Sequence, residues 1–598
     1  MRCWPWVSFC VSIDLRTGGE QGSDSECNLQ SYFLEAASGG GAFRVPQLPH
    51  LTLIGNFEIH ERDSLAGRLA LPESPCGYTD SFLILQAYSR WGSALVDHLQ
   101  GQYAFCIHDT LNRVVFACTD HLGSLPLFFA VTRRGVRLHV ASDMVSMLRR
   151  FDGPIELNEA TLAASVRPQD YLPPFGETFH RGIQCLREGH FFLAGPGQLS
   201  VTRYWRPSIR PELVPAKPEA AYETVRQLVE RAVANRIGAK SKIAIGFSGG
   251  LDSSALAVVA AKYLRSRNQS LLALVGVNDP ANSGVPDERS FAQQLDIENI
   301  ELRFVSAAGQ GPFDMLGDLR DLETSAGNPH SVYMPRSVTA AAEAWGSELV
   351  ITGGFGEFTA SAKARPLFLD LASHFQWEKL ARELLRASLE SGKSSLRLVA
   401  SEIVHQVRPQ PPGPLCCFTT PDFMRRNQPE AAESGPWGTD SRRMLLSQLT
   451  NWMGRAAMLK TAGPGRVLNS SRPFMDKNLL EFCLALPAHF KHHNGYNRYL
   501  VRGAFAKMLP DALAWRRGKM SFVPDYCFRY NAQIDIAKAF VNVIRKSDPV
   551  RDIIDVDRLK ARLVPVKDPM KGDSDAFWTI PHTMRIIGFL RQFSGFRV

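Results

Sequence analysis

The sequence predicts an α/β protein of two domains, a strand-rich first half followed by a parallel-sheet domain with helical additions. Three observations carry that expectation. A chain of 598 residues is too long for one hydrophobic core. The proline-rich stretch WRPSIRPELVPAKP, Trp205 to Pro218, reads as a linker and divides the chain into 1–206 and 207–598. The hydrophobic period also changes across it, from short β-type runs to a helix, an apolar strand, a glycine turn and a second helix.

The first half carries β-type runs at Tyr103–Ile107, Val114–Ala117 and Val136–Val140, separated by turn residues. After the linker, Glu219 to Arg236 has helical periodicity. Lys242 to Phe247 is a short apolar strand, Ser248-Gly249-Gly250 a turn, and Ser254 to Leu264 a helix. A second proline-rich stretch, Val407 to Pro414, marks an inserted or mobile loop. Beyond it the pattern is mainly helical, as in Ser441–Lys460 and Lys477–Leu486. No internal repeat or low-complexity tract interrupts this order.

Composition removes several function classes. Hydrophobic residues make up 45% and charged residues 21%, the balance of a globular rather than a disordered chain. The net charge of +9 is spread without a Lys/Arg run or an aromatic-interleaved basic stripe, so no nucleic acid is expected as a partner. A mild positive bias suits a nucleotide or an acidic peptide. Eleven cysteines stand without CxxC pairs or zinc spacing and read as buried free thiols of a reducing compartment. Met1 to Leu15 lacks a long apolar core and a cleavage site, and no apolar run reaches the ~18 residues of a membrane span. A cytoplasmic protein without membrane insertion is expected.

The chemistry is concentrated in Phe247-Ser248-Gly249-Gly250-Leu251-Asp252-Ser253-Ser254. Two glycines let the backbone approach an oxyanion without a Cβ in the way. The amides of a helix start then cradle phosphate, and Ser248, Ser253 and Ser254 add hydroxyl donors. A carboxylate at Asp252 would repel phosphates unless a cation intervenes, which points to Mg²⁺ bridging the two. An ordinary glycine turn is the plain alternative. The lysine of a P-loop is absent.

The loop resembles the pyrophosphate-binding loop of the N-type ATP pyrophosphatases, which split ATP at the α-phosphate. Further residues narrow the resemblance to the asparagine synthetases. In the first half these are Gly101-Gln102-Tyr103-Ala104-Phe105, Asp120-His121-Leu122-Gly123-Ser124-Leu125-Pro126-Leu127, Ala141-Ser142-Asp143 and the Gly182–Gly189 run ending near Tyr204-Trp205. In the second half they are Asp287-Glu288 with Phe291-Ala292, Ser471 to Asp476, Tyr499-Leu500-Val501-Arg502, Leu509-Pro510 and Trp515 to Lys519. The Asp287-Glu288 pair reads equally as carboxylates at a helix start. The resemblance implies an N-terminal α+β, glutaminase-like (Ntn-type) sandwich and a C-terminal adenine-nucleotide α-hydrolase-like synthetase domain using ATP and Mg²⁺. It places Val275 against adenine, Thr352 and Gly353 in a second phosphate loop, Asp252 and Glu357 on the metal, and Lys519 with Asp252 as catalytic residues. A lysine ammonium would stabilise charge on the α-phosphate and departing pyrophosphate. A surface lysine is the other reading.

The departures refine the function. Thr119 stands where the family has Arg. Arg2 follows Met1, Cys3 is one place too late for an N-terminal nucleophile, and Gly55 to Leu65 lacks the family's glutamine-binding sequence. The glutaminase is therefore expected to be inactive, with the amine supplied by the substrate. In Thr352-Gly353-Gly354-Phe355-Gly356-Glu357, Phe355 replaces a Gly, Glu357 an Asp, and Gly354 leaves the general base unassigned. Two related groups, β-lactam synthetases and lasso-peptide cyclases, use such amines. Arg498 with Arg502 and the shortened Gly55–Leu65 segment favour the lasso cyclases. The expected partners are a precursor peptide, a leader peptidase and a leader-recognition protein. The alternatives are a small-molecule amide or β-lactam synthetase, an asparagine synthetase-like ligase using another amine, and an inactive scaffold.

Overall fold

The computed structural model of the chain describes residues 9–15, 42–74, 77–132, 137–166, 176–282, 284, 287–316, 333–407, 418–427, 438–459, 470–518, 525–566, 575–591 and 593. Cys3, most of the Val407–Pro414 loop and Lys519 lie outside the described residues.

Among the described residues nine strands build the first half: β1 (Cys10–Asp14), β2 (Leu51–Ile59), β3 (Gly101–Asp109), β4 (Val114–Thr119), β5 (Phe128–Thr132), β6 (Arg137–Ala141), β7 (Gln184–Cys185), β8 (His190–Gly195) and β9 (Gln198–Arg203). They pair antiparallel into two sheets, ordered β2-β3-β4-β8-β9 and β1-β6-β5-β7. Side chains alternate across a strand, so one strand can serve two cores. Tyr103, Phe105 and Ile107 of β3 face the helix Asp80–Trp91, joining its Leu83, Ile84 and Ala87. Ala104 and Cys106 face the opposite way, meeting Val11, Ile13, Leu138 and Val140 of the other sheet. That second sheet buries its outer face under Met144 and Met147 of the helix Met144–Arg150. The result is the helix–sheet–sheet–helix sandwich of an Ntn-type, glutamine amidotransferase-like domain.

The family-like motifs of this half hold turns together. The Asp120 carboxylate accepts the backbone N–H groups of Tyr103 (3.1 Å), Leu122 (3.0 Å) and Ser124 (3.0 Å). Asp143 caps its helix by accepting from Ser146 N at 2.8 Å. Among the described cysteines, Cys106, Cys118, Cys185 and Cys483 are buried, and Cys10 and Cys527 partly so.

In the second half β10 (Ile243–Phe247), β11 (Leu271–Gly276), β12 (Ile300–Val305), β13 (Leu349–Ile351) and β14 (Ser470–Ser471) form one parallel sheet, ordered β12-β11-β10-β13-β14. Its central strands are apolar throughout because both faces are covered. Ile243, Ile245 and Phe247 pack with Val225, Val229 and Val233 of the helix Pro218–Ile237 and with the helices Leu251–Arg265 and Tyr499–Phe505. Ala244, Leu272, Leu274 and Val350 pack on the other face with the helix Tyr333–Trp345 and the C-terminal helices Tyr526–Asn542 and Ile580–Leu590.

The halves are clamped together. Trp205 Nε1 donates to Glu481 (2.9 Å), Lys240 Nζ to Glu58 (2.7 Å), and Phe179 meets Phe589 edge-on at 5.4 Å. Among the described residues no helix is long and apolar enough to cross a membrane.

Candidate active site

The order of the parallel sheet reverses at β10. The chain steps from β10 to β11 and β12 on one side, then returns to β13 and β14 on the other. Loops leaving the carboxyl ends of β10 and β13 therefore diverge and open a crevice, the place where open α/β sheets bind ligands.

The first loop is Ser248–Gly250, and its helix starts at Leu251, three residues earlier than periodicity suggests, with Gly250 as the N-cap. Gly249 adopts φ +59°, and a Cβ there would lie 2.8 Å from Glu288 Oε2 and 3.0 Å from Phe291 Cβ, so only glycine fits. Arg516 fixes this turn from outside. Its Nη1 donates to Gly249 O (3.2 Å) and to Glu288 Oε2 (2.8 Å), Nη2 to Glu288 Oε1 (3.3 Å), and its Cζ lies over the Phe291 ring, 3.5 Å from the centroid. This two-pronged geometry with ring stacking is specific to arginine. Arg502 in turn donates to the carbonyls of Ala514 and Arg516. Asp287 accepts from the backbone of Asn278 (3.2 Å) and Arg289 (3.1 Å). Asp287 therefore ties the end of β11 to a helix start, while Glu288 serves the phosphate loop.

The seryl hydroxyls divide differently from the expectation that all three face phosphate. Ser253 is buried and donates to Gly250 O at 3.0 Å, with Ser248 N donating to its Oγ at 3.2 Å. Ser254 is fully buried, and its Oγ has no hydrogen-bond partner among the described residues. Ser253 thus braces the loop from within, its Oγ also lying 3.2 Å from Ser248 Oγ. Phe247 is buried in the core beneath the loop, and Val275, also fully buried, stands in register between Phe247 and Phe304. Only their backbones can meet a nucleotide.

The second loop closes on Asp252. A Cβ on Gly353 would lie 3.3 Å from Asp252 Cβ, and one on Gly356 3.1 Å from Asp252 Cγ. Thr352 N donates to Ser471 O of β14 at 2.9 Å, anchoring the loop to the next strand. Phe355 takes φ +74° and is 4% exposed, its ring 5.2 Å from both Phe358 and Trp452. The substitution that departs from the family pattern is a core residue, sharing a cluster with Leu122 of the first half. Glu357 is exposed, within electrostatic reach of Arg472, and Arg472 Cδ lies 3.6 Å from where a Gly354 Cβ would be.

Asp252 is held by two groups not assigned to it from the sequence. Ser361 Oγ donates to Oδ1 and Arg498 Nη2 to Oδ2, with Arg498 Nη2 also donating to Ser361 Oγ at 3.0 Å. Partial burial, then the Arg365 and Arg498 guanidiniums, hold the nearby Lys363 ammonium below the usual lysine range. Arg498, Arg516, Arg472 and Lys363 make the crevice cationic, suited to phosphates and a carboxylate.

Among the described residues no three His, Cys, Asp or Glu gather as a metal cage. Asp252 and Glu357 on facing loops are hard oxygen donors without thiol or imidazole competitors. That set fits Mg²⁺, which keeps waters and takes phosphate oxygens to complete its shell. The fit requires Asp252 to exchange Arg498 for the cation.

A family model described as asparagine synthase matches residues 224–579, and one described as a glutamine amidotransferase domain matches residues 46–205. Asparagine synthetase [glutamine-hydrolyzing] 3 of Bacillus subtilis is 22% identical over 490 residues, covering 78% of this chain and 74% of the relative. The asparagine synthetase [glutamine-hydrolyzing] of Gallus gallus is 25% identical over 490 residues, 79% of this chain and 72% of the relative. A putative asparagine synthetase [glutamine-hydrolyzing] of Mycobacterium tuberculosis is 29% identical over 227 residues, 36% of this chain and 34% of the relative.

Proposed function

This chain belongs to the asparagine synthase family, ATP- and Mg²⁺-using, AMP-forming carbon–nitrogen ligases, and we propose that it is a lasso-peptide macrolactam synthetase. An Asp or Glu side chain of a precursor peptide attacks the α-phosphate of ATP, releasing pyrophosphate. The α-amine of the peptide's first residue then attacks the acyl carbon, loses a proton and displaces AMP, leaving an isopeptide-bonded ring. A leader peptidase frees that amine, and a leader-recognition protein delivers the peptide.

The observation that carries this reading is the state of the Gly55–Leu65 segment. Phe57 packs edge-on with Phe43 (5.5 Å) and Phe105 (6.3 Å), and Glu58 accepts from Lys240 at 2.7 Å. Its ring and its carboxylate are committed to packing and to the contact between halves. That favours an amine carried by the substrate over one released from glutamine.

This chain's own groups hold and orient the reactants. The Gly249–Gly250 amides meet phosphate, with Arg516 and Glu288 keeping the turn in shape. Asp252 and Glu357 would hold Mg²⁺, which when bound neutralises charge on the phosphate oxygens. Arg498, once released by Asp252, faces the carboxylate to be activated. Lys519, which the family resemblance assigns to catalysis, would supply a further ammonium to the charge on the α-phosphate and departing pyrophosphate. Holding amine and acyl carbon together makes the second step intramolecular.

A second reading, a ligase supplied with ammonia from glutamine, is favoured by the names of the relatives. The two separate in one assay. With leader-free precursor, ATP and Mg²⁺, the lasso reading expects AMP without added glutamine or ammonia. AMP that appears only with glutamine, accompanied by glutamate, would overturn it.

A further inference from the structure

The helical hairpin Trp377–Ser391 and Ser395–Val407 presents its apolar side chains to solvent. Phe375, Trp377, Leu385, Leu389, Leu396 and Ile403 are all exposed, Leu389 at 77% and Leu396 at 83%. At about 100° per residue, Trp377, Leu385 and Leu389 lie within roughly one third of the first helix's circumference. Single exposed leucines need no explanation, but a run of this size on one hairpin marks an interaction surface.

The opposite side of the same helix grips the catalytic wall. Glu383 accepts from Gly495 N (2.9 Å), Arg386 packs on Gly495, and Glu390 pairs with Arg517 (2.9 Å). Those partners flank Arg498 and Arg516 in the chain.

Charge chooses the occupant. The four acids of the hairpin are engaged: Glu378 with Arg382, Glu383 and Glu390 as above, and Glu402 with the backbone N–H groups of Leu367, Phe368 and Leu369. Lys393 and Arg397, beside Leu396, are exposed and form no ion pair among the described residues. The rim of the apolar surface is therefore cationic. We propose that this hairpin docks an acidic, amphipathic helical segment of another polypeptide, laying its apolar stripe on Leu385, Leu389 and Leu396 with its carboxylates toward Lys393 and Arg397. The docking lies outside the ATP crevice and holds whichever amine the enzyme uses.

The test is fluorescence anisotropy on the full chain with two labelled synthetic peptides of about 18 residues, long enough to begin helix formation. One carries Leu at i, i+4 and i+7 with Glu elsewhere, and the other has Lys in place of Glu. The acidic peptide should bind at least tenfold more tightly than the basic one. Leu389→Asp with Leu396→Asp should weaken it at least tenfold, as should Lys393→Glu with Arg397→Glu. Binding of a fluorescent ATP analogue should not change in either variant. Equal binding of the two peptides, or indifference to both variants, would overturn the proposal. So would sedimentation showing that the aspartate variant only dissolves a dimer, or loss of binding to anionic phospholipid vesicles in place of the peptide.

Discussion

Phe355 can be tested as a buried anchor bent into a backbone conformation that favours glycine. Its positive φ of 74° costs about 1–2 kcal/mol relative to a right-handed residue. Its ring fills a pocket between Phe358 and Trp452, and truncating a buried phenylalanine costs ~3–5 kcal/mol. Phe355→Ala keeps the unfavourable φ and loses the ring, so it should lose that full amount. Phe355→Gly loses the ring but regains the backbone term, less glycine's extra chain entropy, and should lie about 1 kcal/mol above the alanine variant. The predicted stability order is parent, then glycine, then alanine, read from unfolding midpoints in urea followed by tryptophan fluorescence and circular dichroism. Gly353 and Gly356 flank Phe355 and touch Asp252, so both variants should also bind ATP·Mg²⁺ more weakly, by about tenfold if ~1.4 kcal/mol of the loss falls on loop geometry. A glycine variant as stable as the parent, or less stable than the alanine variant, would refute the reasoning.

Three further outcomes follow from other parts of the chain. Gly249→Ala should cut ATP-dependent pyrophosphate exchange at least tenfold while leaving far-UV circular dichroism unchanged, because its Cβ would push on the Glu288–Arg516 pair; near-parental exchange would contradict the tight turn. Arg516→Lys keeps the charge but loses the two-pronged grip on Glu288 and the contact with Phe291, so KM for ATP should rise more than kcat falls, a split that equal losses in both would deny. Lys491 is fully buried, its Nζ has no hydrogen-bond partner among the described residues, and burial pulls its ammonium down to about 8, with Cys483 and Asp370 opposing. The unfolded chain then binds the extra proton between pH 8 and the ordinary lysine value. Stability from this group should therefore rise with pH across that window, by up to about 3 kcal/mol, and be lowest below it. Lys491→Met should remove the rise and stabilise the protein at pH 7; urea titrations at a series of pH values, parent against variant, test both.

Much of the scaffold was legible because it follows from local periodicity. The two-sided alternation of β3 and the unbroken apolar runs of β10 and β11 are written into consecutive residues, as is the glycine turn at Ser248–Gly250. The parts of the site that were not legible join residues far apart in the chain. Arg498 reaches Asp252 across 246 positions, and Arg516 reaches Gly249 across 267. Ser361, in an unremarkable stretch, gives no local signal at all. Ser253 and Ser254 were assigned by residue type, but a hydroxyl's direction is set by packing, and here Ser253 turns into the loop it braces. In the sequence Phe355 stands out only as the replacement of a Gly in a phosphate loop. Its pocket is made by Trp452 and Phe358, and nothing in the loop itself announces them.

The central claim is that the amine comes from the peptide that is activated. Mass spectrometry of a leader-free precursor peptide, incubated with the full chain and ATP·Mg²⁺ without glutamine or ammonia, tests it most directly. The predicted result is a peptide lighter by one water, one AMP per peptide, and an N-terminus that no longer reacts with amine reagents. AMP formed with an unchanged peptide, or a peptide that keeps its free N-terminal amine, would contradict it.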